Sequence, residues 1–433
     1  MNHRSSITLM CLLLAAQASA AEWPRFLGPH GDPAAAEQDI PVEWSSKKNV
    51  RWQTELPGKG ASSPVVAGGR VYVTCYTGYG IDADDPGNLN QLVRHLIAYD
   101  RSTGDEVWRA SIAASGNEDP YEGFINQHGY ASSSPVVDGG RVYTVFGKSG
   151  LYAYTTDGEE LWRKDLGQKS DPAKWGDGAS PCVVGDTVVV NATILGNHIV
   201  GFNKETGEQL WSVADPNYTN SWATPAELVV DGQPQVLLHV PGKVLAIDAA
   251  TGDTLWTAES PLNDAACGSI AIKDGVGYLM GGRAGDAMAV KVGGSGDVTD
   301  THTVWRAKLR SGIATPLALG DNLYWTSGGA FYAASRAAGK YVYRERLPRL
   351  SGPTGGFPNA DYASPVAVGE KIIQFTRNGE SYVLAAGDEF RLIAHNPPFE
   401  GDEGAFSATP AVSDGELFVR SEGRLYCLSK RQE

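Results

Sequence analysis

Apolar residues along this chain come in short alternating runs rich in Val, Tyr and Ile, broken at regular intervals by Gly-Gly, Asp-Gly or Thr-Gly. Period-two alternation bounded by turn residues predicts short β-strands. Two phrases recur. One is a small residue, a tight polar turn ending in Thr-Gly, then Trp: AYDRSTGDEVW at 98–108, GFNKETGEQLW at 201–211 and AIDAATGDTLW at 246–256. A shorter copy runs from 153 to 162, and degenerate copies end at Trp305 and Tyr343. The other phrase is Ser/Thr-Pro, an apolar run, a Gly or Asp turn and a second apolar run, as in SPVVAGGRVYV at 63–73. Counted at Pro64, Pro135, Pro181, Pro225, Ser269, Pro316, Pro365 and Pro410, the copies lie 44 to 49 residues apart after a first interval of 71.

Each unit supplies two strands around each turn, hence four per repeat. Eight such units predict an all-β fold: an eight-bladed β-propeller of four-stranded antiparallel blades. The eighth unit ends at Leu428 without a Trp-bearing outer strand, whereas residues 49–56 form a spare strand carrying Trp52. This N-terminal strand is expected to complete the last blade and remove an exposed edge. The domain limits that follow are a signal peptide at 1–20, an N-terminal extension at 21–48 and the propeller at 49–430.

Charge and composition narrow the partners. With 36 Lys+Arg against 50 Asp+Glu, the net charge of −14 argues against nucleic acid and anionic membrane surfaces. A basic start, an apolar run at 10–16 and Ala18-Ser19-Ala20 read as a signal peptide cleaved before Ala21. The run is short of the ~20 residues a span needs, and no later stretch replaces it. The expectation is a periplasmic or secreted protein without a transmembrane segment. Cys75, Cys182, Cys267 and Cys427 are far apart with no C-x-x-C. They read as small buried residues or as disulfide partners, and the sequence leaves both open.

The repeat resembles the pyrroloquinoline-quinone (PQQ)-like repeat family, on the phrase A-x5-T/S-G-x3-W matched at 98–108 and 246–256. The opening Trp23 to Pro29, with 126–135, resembles a group of secreted PQQ-like repeat proteins. Relatives in that superfamily include quinoprotein alcohol dehydrogenases and an outer-membrane assembly scaffold, so the resemblance implies a fold more than an activity. It also implies that Trp52, Trp108, Trp162, Trp211, Trp256 and Trp305 dock neighbouring blades rather than hold a cofactor.

Candidate chemistry is confined to loops. Connections within each antiparallel pair are tight, and the long segments 77–94, 111–131, 167–178, 214–222, 347–362 and 396–406 should share one face. Residues preceding each inner strand should ring the funnel there: Lys59, His128, Tyr130, Trp175, Asp177, Trp222, Arg310, Asp361, Tyr362 and Phe406. Aromatics with a few charges suit a flat or sugar-like ligand, or cap the channel. Arg101 and Lys204 read as solvent residues of the opposite turns. The acidic loop 82–88 lacks the calcium-loop spacing, and no H-E-x-x-H, G-x-S-x-G, C-x-x-C-H or Cys-Cys pair occurs. The expectation is therefore a non-catalytic, monomeric module with no catalytic residue, metal or cofactor, binding a protein or glycan partner on the long-loop face. The alternative is a PQQ-dependent alcohol or sugar dehydrogenase using PQQ with calcium.

Overall fold

The computed structural model describes residues 21–171, 174–282, 284–349 and 361–430, so the signal sequence read at 1–20 and most of the 347–362 loop lie outside it. Eight antiparallel sheets follow one another along the chain. Blade 1 comprises Val65–Ala67, Arg70–Thr77, Val93–Asp100 and Glu106–Ala113, each pairing with the next. Blade 8 comprises Ala411–Ser413, Glu416–Arg420 and Arg424–Leu428, and its fourth strand is Val50–Glu55. The expected closure is in place: Trp52 pairs with Cys427 and Glu55 with Arg424 in antiparallel register. All four cysteines of the described chain are free.

Two interactions tie blade to blade. On the outer side, the indole of one blade lies on the Thr-Gly or equivalent turn of the next. Trp52, Trp108, Trp162, Trp211 and Trp305 occupy the space a Cβ would take at Gly104, Gly158, Gly207, Gly252 and Gly339, within 2.5 to 2.8 Å. These glycines also have positive φ, so no other residue serves there without strain. Each indole N–H donates to a carbonyl of that turn region: Arg101 (2.9 Å), Thr156 (2.8 Å), Lys204 (3.3 Å), Ala249 (3.0 Å) and Arg336 (2.8 Å). Trp256 departs from the pattern. Blade 5 has a longer turn instead of Thr-Gly, and its Gly296–Asp297 pairs in parallel with the Trp256 strand. Trp256 is fully buried, yet its Nε1 has no partner.

On the inner side, the Ser or Thr opening each inner strand forms a closed ring. The backbone N–H of Ser63 donates to Ser134 Oγ, Ser134 to Ser180, Ser180 to Thr224 and Thr224 to Ser269. Ser269 donates to Thr315, Thr315 to Ser364, Ser364 to Thr409, and Thr409 back to Ser63. Every bond is 2.8 to 3.0 Å long. The ring corrects one register: Ser269 is itself the ring residue, and Ile270 stands in proline's place.

The turn face also differs from its reading as trimmed to tight turns. Residues 21–39 lie across it, supplying partners to the inner strands, whose free edges line the channel. Trp23 exchanges two backbone bonds with Val66 of blade 1, and Val137 of blade 2 donates to Pro24 O (2.8 Å). Arg25 reaches Val183 O in blade 3 and pairs with Glu227 in blade 4. Asp32 pairs with Lys273 of blade 5 (3.0 Å), and Ala34–Ala35 runs parallel to the inner strand of blade 7. Further on, the chain reaches the opposite end of blade 7, where Trp44 stacks on Phe375 and donates to Ser381 Oγ (3.0 Å). Arg101 and Lys204 are corrected likewise. Arg101 bonds to Glu416 and the Ser413 carbonyl, and Lys204 bonds to Asp138 and the Gly185 carbonyl, so both tie neighbouring blades.

Two substitution pairs test these ties. Ser180→Ala leaves the buried Ser134 N–H unpaired and should cost about 1–3 kcal/mol in denaturant unfolding. Ser180→Thr should cost under about 1 kcal/mol, because Thr serves the same role in three other blades. Equal costs would show that the ring hydroxyl is dispensable. Trp211→Phe removes the bond to Ala249, whereas Trp256→Phe removes a donor that has no partner. The first should be the more destabilising by about 1 kcal/mol; the opposite order would refute this account of the outer docking.

Candidate functional site

On the long-loop face the channel opens as a cavity of about 200 Å³ above the hydroxyl ring. Its floor is Phe26, delivered from the opposite side by the N-terminal segment. Its walls come from loops entering inner strands. His128 ends the short helix Ile125–His128, and Gly129, at positive φ, turns the chain toward the ring. Trp175 precedes Ser180, Trp222 precedes Thr224, and Tyr362 precedes Ser364.

Phe124, Trp175 and Trp222 form a continuous aromatic run, with centroid separations of 4.7 and 4.9 Å. Trp222 is fixed by its Nε1 donating to Gly176 O (2.8 Å). The Nε1 of Trp175 is buried and has no partner. Across the opening, Tyr362 lies under the Arg377 guanidinium, 5.3 Å from the ring centroid. Arg377 in turn donates to Gln127 O (2.8 Å) and Ser407 Oγ (3.1 Å), bracing the loop that carries His128.

His128 bonds through Nε2 to Trp175 O and through Nδ1 to Ser132 Oγ, both at 2.6 Å. The carbonyl can only accept, so Nε2 carries a proton. Burial holds this imidazole below its ordinary pKa. Among the described residues, no Lys, Arg, Asp or Glu lines the cavity.

Of the residues expected around the funnel, His128, Trp175, Trp222 and Tyr362 line the cavity, and the others do not. Tyr130 turns away into a cluster with Tyr76, Tyr79 and Tyr121, where its hydroxyl donates to Asp119 O (2.8 Å) and Arg94 lies over its ring. Asp177 borders a smaller adjoining cavity of about 30 Å³ with Arg94, Glu118 and Lys148. Burial pushes its carboxyl up to about 7. There the Arg94–Glu118 pair is bidentate, with both bonds 2.7 Å and both side chains buried, so it organises the loop rather than offering free charge.

Asp361 is buried and accepts from Arg377 N (3.0 Å). Phe406 is drawn into a stack with Phe375, Phe399 and Tyr426. Arg310 is exposed at the rim, and Lys59 pairs with Glu422 (3.6 Å). Sequence reading missed Phe26, Phe124 and the hydroxyl ring. The ring was signalled by a Ser or Thr opening every copy of the second phrase.

Among the described residues no group of three His, Cys, Asp or Glu side chains is placed to hold a metal ion. None of the described helices is long and apolar enough to cross a membrane.

Comparison with known proteins agrees with this architecture. The outer membrane protein assembly factor BamB of Burkholderia pseudomallei is 23% identical over 373 residues, covering 84% of this chain and 83% of that protein. The crystal structure of BamB from Moraxella catarrhalis superposes with a TM-score of 0.61 at 16% identity, covering 89% of this chain and 98% of that one. A europium-containing methanol dehydrogenase does so with a TM-score of 0.53 at 11% identity, covering 94% of this chain and 98% of that one. Both structural likenesses show the fold alone. A family model, PQQ_2, described as outer membrane protein assembly factor BamB, matches residues 93–345. With more than half its length inside that match, and the repeat, the blades and their closure all in register, the chain belongs to the PQQ_2 family of PQQ-like β-propellers.

Proposed function

We propose that this protein is an exported, monomeric, non-catalytic propeller of the periplasm that docks a protein partner on the rim of its long-loop face. The observation that carries the reading is the asymmetry of the two faces. The tight-turn face is taken up by the chain's own residues 21–39, while the other presents long loops on a rigid support. The relatives named as outer membrane protein assembly factors support a protein as the partner. Export with removal of residues 1–20 belongs to the same reading.

The dehydrogenase alternative asks for PQQ and calcium in the funnel. The described residues there do not favour that pair: among them the lining offers no cation to the carboxylates of the quinone and no acidic oxygen to the metal.

Affinity capture from the cell envelope, followed by quantitative mass spectrometry, tests the docking face. Ile81 is 39% exposed on the 77–94 loop and Arg310 is exposed on the link into blade 6. The double substitution Ile81→Asp/Arg310→Glu should reduce recovery of the main captured protein by about tenfold or more, as expected for loss of anchoring contacts. Glu208→Lys, at an exposed position on the opposite turns, should leave recovery unchanged. The reverse result would place docking on the other face. Dye reduction by the protein supplied with PQQ, calcium and an alcohol would overturn the non-catalytic reading.

A further inference from the structure

The throat cavity holds a chemistry that docking at the rim does not use. Each of the eight ring hydroxyls accepts one backbone N–H from the neighbouring blade. None has an acceptor for its own hydrogen among the described residues. All eight line the cavity, and Ser63, Ser134, Ser180, Ser269, Thr315, Ser364 and Thr409 are almost wholly buried. Above them Trp175 Nε1, in the same cavity wall, is a second kind of buried donor without a partner. Buried donors left unmatched cost free energy, so this arrangement favours an occupant that brings acceptors.

The rest of the wall restricts that occupant. Phe124, Trp175 and Trp222 present aromatic surface on one side, Tyr362 on the other, and Phe26 from below. A purely aromatic ligand would fit these faces but leave the hydroxyl donors unmet. An anion would meet the donors but find no Lys or Arg counter-charge among the described lining residues, and burial works against a charged His128. A neutral sugar ring satisfies both conditions. Its C–H face lies on an indole, and its ring and hydroxyl oxygens accept hydrogen bonds. The volume of about 200 Å³ is also of the right order, given that a cavity of about 150 Å³ holds benzene.

We propose that the throat cavity is a binding site for a single neutral pyranose unit, free or at the end of a glycan. The unit sits with its oxygens toward the Ser/Thr ring and one face on Trp222 and Trp175. The proposal is separate from docking of a protein at the rim, and either can hold without the other.

The test is a titration of the protein comprising residues 21–433 with D-glucose, D-galactose, D-mannose, D-xylose and N-acetyl-D-glucosamine, followed by tryptophan fluorescence and saturation-transfer NMR. At least one sugar should give saturable binding with a Kd of about 1 mM or tighter. Trp222→Ala should weaken it by about tenfold. Trp175→Phe, which keeps an aromatic face but removes Nε1, should weaken it several-fold while leaving the melting temperature near that of the parent. Citrate and p-cresol, as probes for a charged and for a purely aromatic occupant, should not bind. The proposal is overturned if no sugar saturates, if citrate or p-cresol binds in place of the sugars, or if a sugar binds equally well to Trp222→Ala. Capture of the envelope partner, scored separately with Ile81→Asp/Arg310→Glu, reports on the rim and not on this cavity.

Discussion

Eight backbone N–H groups face the channel just ahead of the inner strands, where no sheet ladder can receive them, and each is accepted by a hydroxyl of the adjoining blade. That single requirement governs the architecture. A buried amide without a partner is costly, and in every blade the side chain that meets it is a short, uncharged hydroxyl, Ser or Thr. In seven blades the following residue is Pro, which brings no further N–H to the crowded axis. Because the bonds all run in one rotational sense, every blade both gives and receives, and the number of blades is fixed by the ring as much as by the sheets. The outer indole contacts act at the other end of each interface, so a blade is held at its inner and outer margins at once.

The fold was legible because its signals are periodic. Strand alternation, the Thr-Gly turn and the Trp recur at the same spacing, and the spare strand at 49–56 could be matched to the incomplete last unit by elimination. The phrase nevertheless conceals its own geometry: the Trp and Gly that adjoin in sequence do not touch each other, and each meets its counterpart in the neighbouring repeat. The site was legible only in part. Position relative to the inner strand brought out His128, Trp175, Trp222 and Tyr362, which line the cavity. Tyr130 and Phe406 occupy equivalent places yet turn into aromatic stacks formed with other loops and strands. That choice depends on partners distant in sequence, which no local pattern records. The segment 21–48 has no repeat to compare with, so neither its course across the inner strands nor the placement of Phe26 could be read from it.

The two mouths of the channel consequently differ in kind. One is filled by main chain that pairs with otherwise free strand edges, leaving little unsatisfied. The other keeps aromatic faces and hydroxyl donors available in a setting without charge. A propeller of nearly equivalent blades thus acquires polarity from residues 21–39, which belong to none of its repeats, in line with the way a symmetric scaffold gains function by additions rather than by altering its repeats.

The closing strand also has a meaning for the order in which the chain is made. Glu55 and Arg424 meet across 369 positions, so some of the first residues of the propeller to emerge wait for almost the last before they have a partner. Until then the strand Val50–Glu55 is unpaired and the last blade presents an open edge, the state most prone to pairing with a neighbouring chain. A message cut short before codon 424 would therefore yield no smaller propeller with one blade fewer. It would yield an unclosed arc with two adhesive ends, a product for proteolysis rather than for use.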